Sequence, residues 1–373
     1  MKIVWFSEIK WSYLRTRKQH ILANFSSSDE ILFIEPASFN LKNKFNISIE
    51  KNIKYVTVPQ LQNSDISFIN YLIHFTPLKF CLIFLSRLWM NRLFEKLNFI
   101  PDVIITSNIF WIHYIQNFSK KYNIKVIYDC NDNPLAFPNA LNCKNYFNKT
   151  LDYASHIIVP HRSYKKFISE KYHNKIDIIS NGVDSELENF KSQKIEKLEN
   201  IDKIIMYIGS IDTRIDYDLI NYLANELTDF SFVFIGDLKR QVISKFNTLL
   251  NNHNNIHHFD SINYYEMGAY LSYAKICIIP FLRTNLSKSI LPNKMFEYSL
   301  LKKPFIMTDF NHDLNDLHHS ILIANNHKKF KDFVKQQMLN PYDTKELQNF
   351  TFDYRWDKIS EKYKKFLISS LKK

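Results

Sequence analysis

The sequence predicts an α/β protein made of two doubly wound parallel sheets. Three observations lead there. Short β-branched apolar runs recur along the chain, and most are continuously apolar rather than alternating, as strands buried on both faces must be. Helix-compatible stretches separate many of them. A charged, apolar-poor segment, "SELENFKSQKIEKLEN" (185–200), divides the series into two halves and reads as a linker.

Taken in order, the first half supplies "KIVWF", "EILFIEP", "KYVTVP", "DVIITS", "KVIYDC", "HIIVP" and "DIIS". The second supplies "KIIMYIGS", "SFVFIGD", "NIHHF", "ICIIP", "PFIMT" and "ILIA", with helical patterns in "DYDLINYLANEL", "RQVISKFNTLL" and "YYEMGAYLSYA". The tail "YRWDKISEKYKKFLISSLKK" reads as an amphipathic terminal helix. The expected division is residues 1–184, a linker at 185–200, a second domain at 201–350, and a terminal helix within 351–373.

Composition narrows the function classes. With 46% hydrophobic and 15% aromatic residues the 373-residue chain can bury substantial cores and is not a disordered segment. A net charge of +12 invites an anionic partner, whether nucleic acid, membrane surface or phosphorylated small molecule. The lysines are dispersed and no nucleic-acid module is recognisable, so nucleic acid is not expected. Cys81, Cys130, Cys143 and Cys277 lack paired or metal-ligand spacing, which fits a reduced cytoplasmic setting without a metal. "MKIVWFSEIKW" is too soon charged for a secretory signal. The segment Phe68–Met90, interrupted by His74, Pro77, Lys79 and Arg87, is a poor spanning helix. It fits either a helical pair resting on an anionic bilayer, through residues 68–92, or a pair of core helices with a basic edge.

The chain has four glycines, and three follow or sit in strand exits: "IISNGVD", "MYIGSID" and "FVFIGDL". A chain so poor in glycine keeps it where a side chain would obstruct. After Gly209 come Ser210 and Arg214, and then a helix start near Asp216. Bare backbone, free amides and a cation at that exit suit a phosphate, although plain turns use the same pattern. A second stretch, "IPFLRTNLSKSILPNKMFEYSLLKKPFIM", carries Arg283, Asn285, Ser287 and Lys288 in a loop. Pro292 then opens a helix with Asn293 and Lys294 in its first turn and Glu297 one turn on. Such a helix offers its positive end and Lys294 to a diphosphate, and Glu297 to the two hydroxyls of a ribose. A surface helix with a Lys–Glu pair fits the same spacing.

"PNKMFEY" followed by "KKPFIM" resembles the PxKxxEY…GkPvv signature of GT-B glycosyltransferases. "IISNGVD" and "MYIGSID" resemble the end of their first domain and their first phosphate loop. "RTRKQHILANF…ILFIEP" and "VIYDCNDNPLAFPN" resemble a bacterial group-1, teichuronic-acid-type subset that makes surface polysaccharides. The resemblance implies a GT-B fold: two Rossmann-like domains facing a cleft, with the C-terminal helix crossing back to the first. It implies an acceptor-binding N-terminal domain, a sugar-nucleotide-binding C-terminal domain, and transfer of a hexose from a nucleoside-diphosphate sugar, UDP expected, without cofactor or metal. The acceptor would be a glycan or lipid-linked glycan at the inner face of the cell membrane. Donor contacts would be Gly209, Ser210, Arg214, Arg283, Asn285, Lys288, Asn293, Lys294 and Glu297. "DCND" falls on the acceptor side. Asp132 would be the base of an inverting reaction, a substrate contact of a retaining one, or a cap before Pro134. His20 is the second catalytic candidate, with Arg17, Asp129 and Asn133 beside the acceptor. Gly182 would mark a hinge.

Three departures stand out. Ser289 replaces a glutamate eight positions before Glu297, Ile215 replaces the phosphate-loop lysine, and Lys302 or Lys303 replaces the glycine of GkP. The turn before Pro304 is therefore expected to do without positive φ. A sugar-nucleotide 2-epimerase uses the same scaffold, and a non-catalytic basic membrane- or nucleic-acid-binding protein is the reading from another class.

Overall fold

The computed structural model describes every residue except 13–14, 37–46, 59–76, 137–142, 192, 341–342 and 373. The part of the Phe68–Met90 segment before Pro77 thus lies outside the described residues. The chain divides into two compact units: residues 1–180 with 357–373, and residues 181–356.

Unit 1 holds strands β1 (Lys2–Phe6), β2 (Glu30–Pro36), β3 (Ser48–Glu50), β4 (Ile53–Val58), β5 (Val103–Thr106), β6 (Lys125–Asp129), β7 (His156–Val159) and β8 (Ile176–Ile178). Their order is β3-β4-β2-β1-β5-β6-β7-β8, parallel except for β3. β3 was not foreseen: it is a short polar edge strand paired antiparallel to β4, and its sequence carries no apolar run. Helices α1 (Arg17–Ala23), α2 (Leu78–Leu97), α3 (Ile112–Tyr122) and α4 (Cys143–Tyr153) lie among these strands in sequence. Ile3, Val4, Trp5 and Phe6 of β1 are all fully buried, the two-sided burial that their unbroken hydrophobicity requires. The chain order reverses between β1 and β5, placing a switch point at their carboxyl ends.

Unit 2 begins with α5 (Glu196–Glu199), followed by an all-parallel sheet of β9 (Ile204–Ile208), β10 (Ser231–Ile235), β11 (Ile256–Phe259), β12 (Ile276–Ile279), β13 (Phe305–Thr308) and β14 (Leu322–Ala324). Its order is β11-β10-β9-β12-β13-β14, with a switch point between β9 and β12. Helices α6 (Tyr217–Glu226), α7 (Ile243–Asn252), α8 (Met267–Tyr273), α9 (Asn293–Leu300), α10 (His327–Leu339) and α11 (Lys345–Phe350) complete it. Asp216 caps α6 through the Leu219 amide (2.9 Å), and Asn326 caps α10 through the Lys329 amide (2.8 Å).

The segment expected as a linker is not bare chain. Leu187 and Leu198 are fully buried in the core of unit 2, and the units divide after Ser180 instead. Gly182 has a packing reason: a Cβ there would lie 2.6 Å from the Tyr354 carbonyl and 3.0 Å from the Trp356 ring. α12 (Trp356–Lys372) lies with unit 1 from Asp357 onward. Tyr363, fully buried, stacks on Trp5 at 5.9 Å, and Lys364 pairs with Asp29 at 2.5 Å.

Candidate active site

At the mouth of the second sheet, the exit of β9 meets the start of α9. Gly209 has φ +141°, a conformation that side-chain-bearing residues rarely adopt. Its amide bonds to the Ile235 carbonyl (2.8 Å), and Gly236 on the neighbouring strand exit has φ +144°. A Cβ at Gly209 would overlap Nζ and Cε of Lys294, and one at Gly236 would overlap the Gly209 backbone. The glycine at the β9 exit therefore leaves room for the Lys294 ammonium itself.

Lys294 sits in the first turn of α9, with Pro292 at the capping position (φ −76°, ψ 128°). Its Nζ lies 5.2 Å over the ring of Tyr207, whose hydroxyl donates to the Ser210 carbonyl (2.8 Å). Among the described residues this half-buried ammonium has no ion-pair partner. Burial lowers its pKa to about 8, assisted by the Arg214 charge and opposed by Glu297 and Asp212. Glu297, 8% exposed, is shifted the other way: burial raises its pKa, against the pull of Lys294 and a hydrogen bond with Tyr264. The Tyr298 hydroxyl accepts the Ile208 amide (3.1 Å), pinning α9 to the end of β9. A desolvated cation, a helix start and a buried carboxylate one turn on thus converge at the switch point, an arrangement suited to an anion joined to a polyol.

The other expected donor residues divide. Ser210 follows Gly209 directly, and Asn293 opens α9. Arg214 spends its fork on Asp212 (Nε to Oδ1 2.9 Å, NH2 to Oδ2 2.6 Å) and lies 5.2 Å over Phe281. Burial would raise the Asp212 pKa, but these Arg214 bonds outweigh it and the carboxyl stays low. Lys288 donates to Asn285 (2.8 Å) on the exposed loop. Arg283 lines an open cavity of about 830 Å³ with Asp216, Phe281, Thr308, Asp309 and His327. Ser287, buried, bonds the Leu282 carbonyl and fixes the loop, and Ser289 is also buried. The turn before Pro304 corrects one expectation. Lys302 does adopt φ +55°, a left-handed helix end in which the Lys303 amide reaches the Tyr298 carbonyl (2.8 Å).

In unit 1 the expected acceptor-side residues separate by burial. Arg17 and Asp129 are 2% and 1% exposed. Arg17 Nε donates to both Asp129 oxygens (3.2 Å each) and NH1 to the Ser180 carbonyl (2.6 Å), while the Tyr363 hydroxyl donates to Asp129 (3.0 Å). The pair is a buried tie between α1, β6 and α12 and does not face open solvent. His20, the fourth residue of α1, is only 5% exposed. Asp132 is exposed at the β6 exit, 3.4 Å from the Asn131 amide. The cap before Leu135 comes from Asn133, whose side chain accepts that amide (3.0 Å).

Sequence reasoning overlooked Glu8. At the β1–β5 switch point it pairs with the buried Lys18 and accepts from Ser107 (2.5 Å), itself bonded by Trp5 Nε1 (3.1 Å). Glu8 is itself exposed; partial desolvation would raise its pKa, but the Lys18 and Ser107 interactions outweigh it and hold the carboxylate below its usual range. Its only signal was a carboxylate just past a strand. Tyr207 and Tyr264 were overlooked too, for want of any spacing that marks them, whereas Tyr298 closes the "PNKMFEY" stretch. Among the described residues no cluster of His, Cys, Asp and Glu forms a metal-ligand set, and no helix is long and apolar enough to cross a membrane.

No family model and no curated protein matches the sequence. Solved structures do match the fold over nearly the whole chain. Sucrose-phosphate synthase from Thermosynechococcus elongatus aligns with a TM-score of 0.75 at 10% identity, covering 99% of this chain and 98% of that one. Anabaena HepE, in complex with UDP and glucose, aligns at 0.68 and 13% identity, covering 99% and 100%. A glycosyltransferase from Rickettsia africae aligns at 0.67 and 16% identity, covering 98% and 97%. The fold is the GT-B fold of these proteins.

Proposed function

We propose that this protein is a glycosyltransferase that moves a hexose from a nucleoside-diphosphate sugar, UDP-linked, to a glycan or lipid-linked acceptor in bacterial surface-polysaccharide synthesis. The observation that carries the reading is the Lys294 ammonium, without an ion-pair partner among the described residues, laid over bare Gly209 with Glu297 buried one turn on. The likeness in fold to a protein captured with UDP and glucose supports the choice of donor.

A desolvated ammonium is destabilised until an anion arrives, so a diphosphate is bound with the charge already in place. The free amides of Asn293 and Lys294 add the positive end of α9. As the glycosidic bond breaks, charge grows on the leaving diphosphate, and these same groups stabilise it most at that moment. Glu297 accepts from the ribose hydroxyls, with Tyr264 holding its orientation. Arg214 joins the diphosphate only by leaving Asp212. On the acceptor side, Asp132 is the accessible carboxylate: it removes the acceptor proton if the reaction inverts, or holds a hydroxyl if it retains. Glu8, kept ionised by Lys18, is the second acceptor-side carboxylate. The enzyme works at the inner face of the cell membrane, touching anionic lipid through residues 68–92.

Thermal-shift measurement with UDP, GDP, CDP and TDP tests the reading. One nucleotide should stabilise the protein, by about 2.7 kcal/mol at a hundredfold excess over Kd. No shift with any of the four would refute it.

A further inference from the structure

Four basic side chains gather on the helices of unit 1, outside both sheet mouths. α2 supplies Lys79 and Arg87, α3 supplies His113 and α4 supplies Lys149. Lys79 Nζ lies 5.5 Å over the ring of buried Tyr146, and His113 meets the same ring edge-on at 5.6 Å. Lys149 stands one turn beyond Tyr146 on α4, and Lys79 and Arg87 share one row of α2.

Nothing among the described residues neutralises this group. None of Lys79, Arg87 and Lys149 is ion-paired there, and the buried Arg87 Nε has no hydrogen-bond partner. Of the acidic groups on these helices, Asp152 is engaged by Tyr172 (2.6 Å) and Lys171 (3.4 Å), and Glu95 lies two turns past Arg87. His113 registers the result: burial holds its pKa below the usual value, and the Lys149, Lys79 and Arg87 charges push it further down. A cluster of cations without counter-ions on this side favours an oxyanion.

The next row of α2 indicates how that oxyanion is presented. Phe80 and Phe84 are 73% and 61% exposed, and Leu85, Leu88 and Trp89 also face solvent. The last two turns expose Asn91, Arg92, Glu95 and Lys96 instead. Apolar exposure is thus confined to the first three turns, beside the cationic row. A bilayer surface offers the complementary pattern, phosphates above acyl chains.

We propose that Lys79, Arg87, His113 and Lys149 form a binding site for the phosphate of an anionic lipid, with Phe80, Phe84 and Trp89 entering the acyl boundary of the same leaflet. The site rests on the membrane part of the function proposed above and is independent of the donor site.

Vesicle co-sedimentation of the full chain tests it, using phosphatidylcholine with and without phosphatidylglycerol. K79E/R87E should weaken binding to the anionic vesicles by roughly thirtyfold or more, each basic residue near such a surface contributing about 1 kcal/mol. K358E/K362E, the same charge change at exposed positions of α12, should leave binding nearly unchanged. F80S/F84S should weaken it while preserving its salt dependence. Unfolding midpoints establish that each variant is folded. The proposal is overturned if K79E/R87E binds like the unmodified protein, if the α12 control loses binding equally, or if soluble glycerol phosphate displaces the protein from vesicles at matched phosphate. A uridine-nucleotide shift on the same samples separates the two readings, since its absence would count against glycosyl transfer and not against this site.

Discussion

The Lys294 ammonium occupies the space that a side chain at Gly209 would take. Two residues from different elements, one after β9 and one in α9, thereby share a single volume at the switch point of the second sheet. Gly209→Ala should act in two separable ways. Lys294 can swing its flexible end aside, so the stability loss comes from φ +141° and amounts to about 1–3 kcal/mol. The displaced ammonium should cost nucleotide binding as well. Gly236→Ala meets backbone that cannot move, and should cost more stability than Gly209→Ala. Thermal denaturation and UDP titration of both variants check this.

Lys294→Met should stabilise the unliganded protein while abolishing the nucleotide shift. The folded pKa, about 8, lies below the 10.5 of a lysine in water, so below pH 8 the charged form is held against its preference. After allowance for solvent screening, relief of that strain should be worth about 1–2 kcal/mol at neutral pH. In the unmodified protein the cost fades as pH rises from about 8 toward 10.5, because the unfolded chain binds the proton more strongly. Denaturant midpoints across that range, flat in the variant by comparison, check the sign.

Nucleotide affinity should fall as pH rises past about 8, by up to about tenfold per pH unit, because the diphosphate requires the ammonium. Binding near that pH should draw protons from the buffer. Calorimetry in buffers of different ionisation enthalpy measures the uptake, and Lys294→Met should show none.

The Arg17–Asp129–Tyr363 tie should behave as structure. Asp129→Ala leaves a buried guanidinium without its counter-charge and should cost about 3–5 kcal/mol, whereas Tyr363→Phe should cost about 1 kcal/mol. Asp132→Asn, at an exposed position, should leave stability and nucleotide affinity intact while lowering turnover by about 10²-fold or more.

What the sequence disclosed follows from what its residues can express locally. "KIIMYIGS" reads as a buried strand because both faces of β9 are covered and every position must be apolar. "LPNKMFEY" reads as a binding helix because a proline start and one-turn spacing are local features. Ser48–Glu50 became a strand only by pairing with β4, which no apolar pattern announces. Arg214 looked available because its neighbour Asp212 is a partner only in the folded turn. Arg17 and Asp129 are separated by 112 residues and Tyr363 by another 234, so their meeting depends on topology rather than spacing. Lys302 takes a glycine's conformation because the end of α9 imposes it.

A structure determined with UDP tests the account most directly. The diphosphate oxygens should lie within hydrogen-bond reach of Lys294 Nζ and the first amides of α9, with the ribose hydroxyls on Glu297. Nucleotide density at another site, with Lys294 still resting on Gly209 and Tyr207, would contradict it.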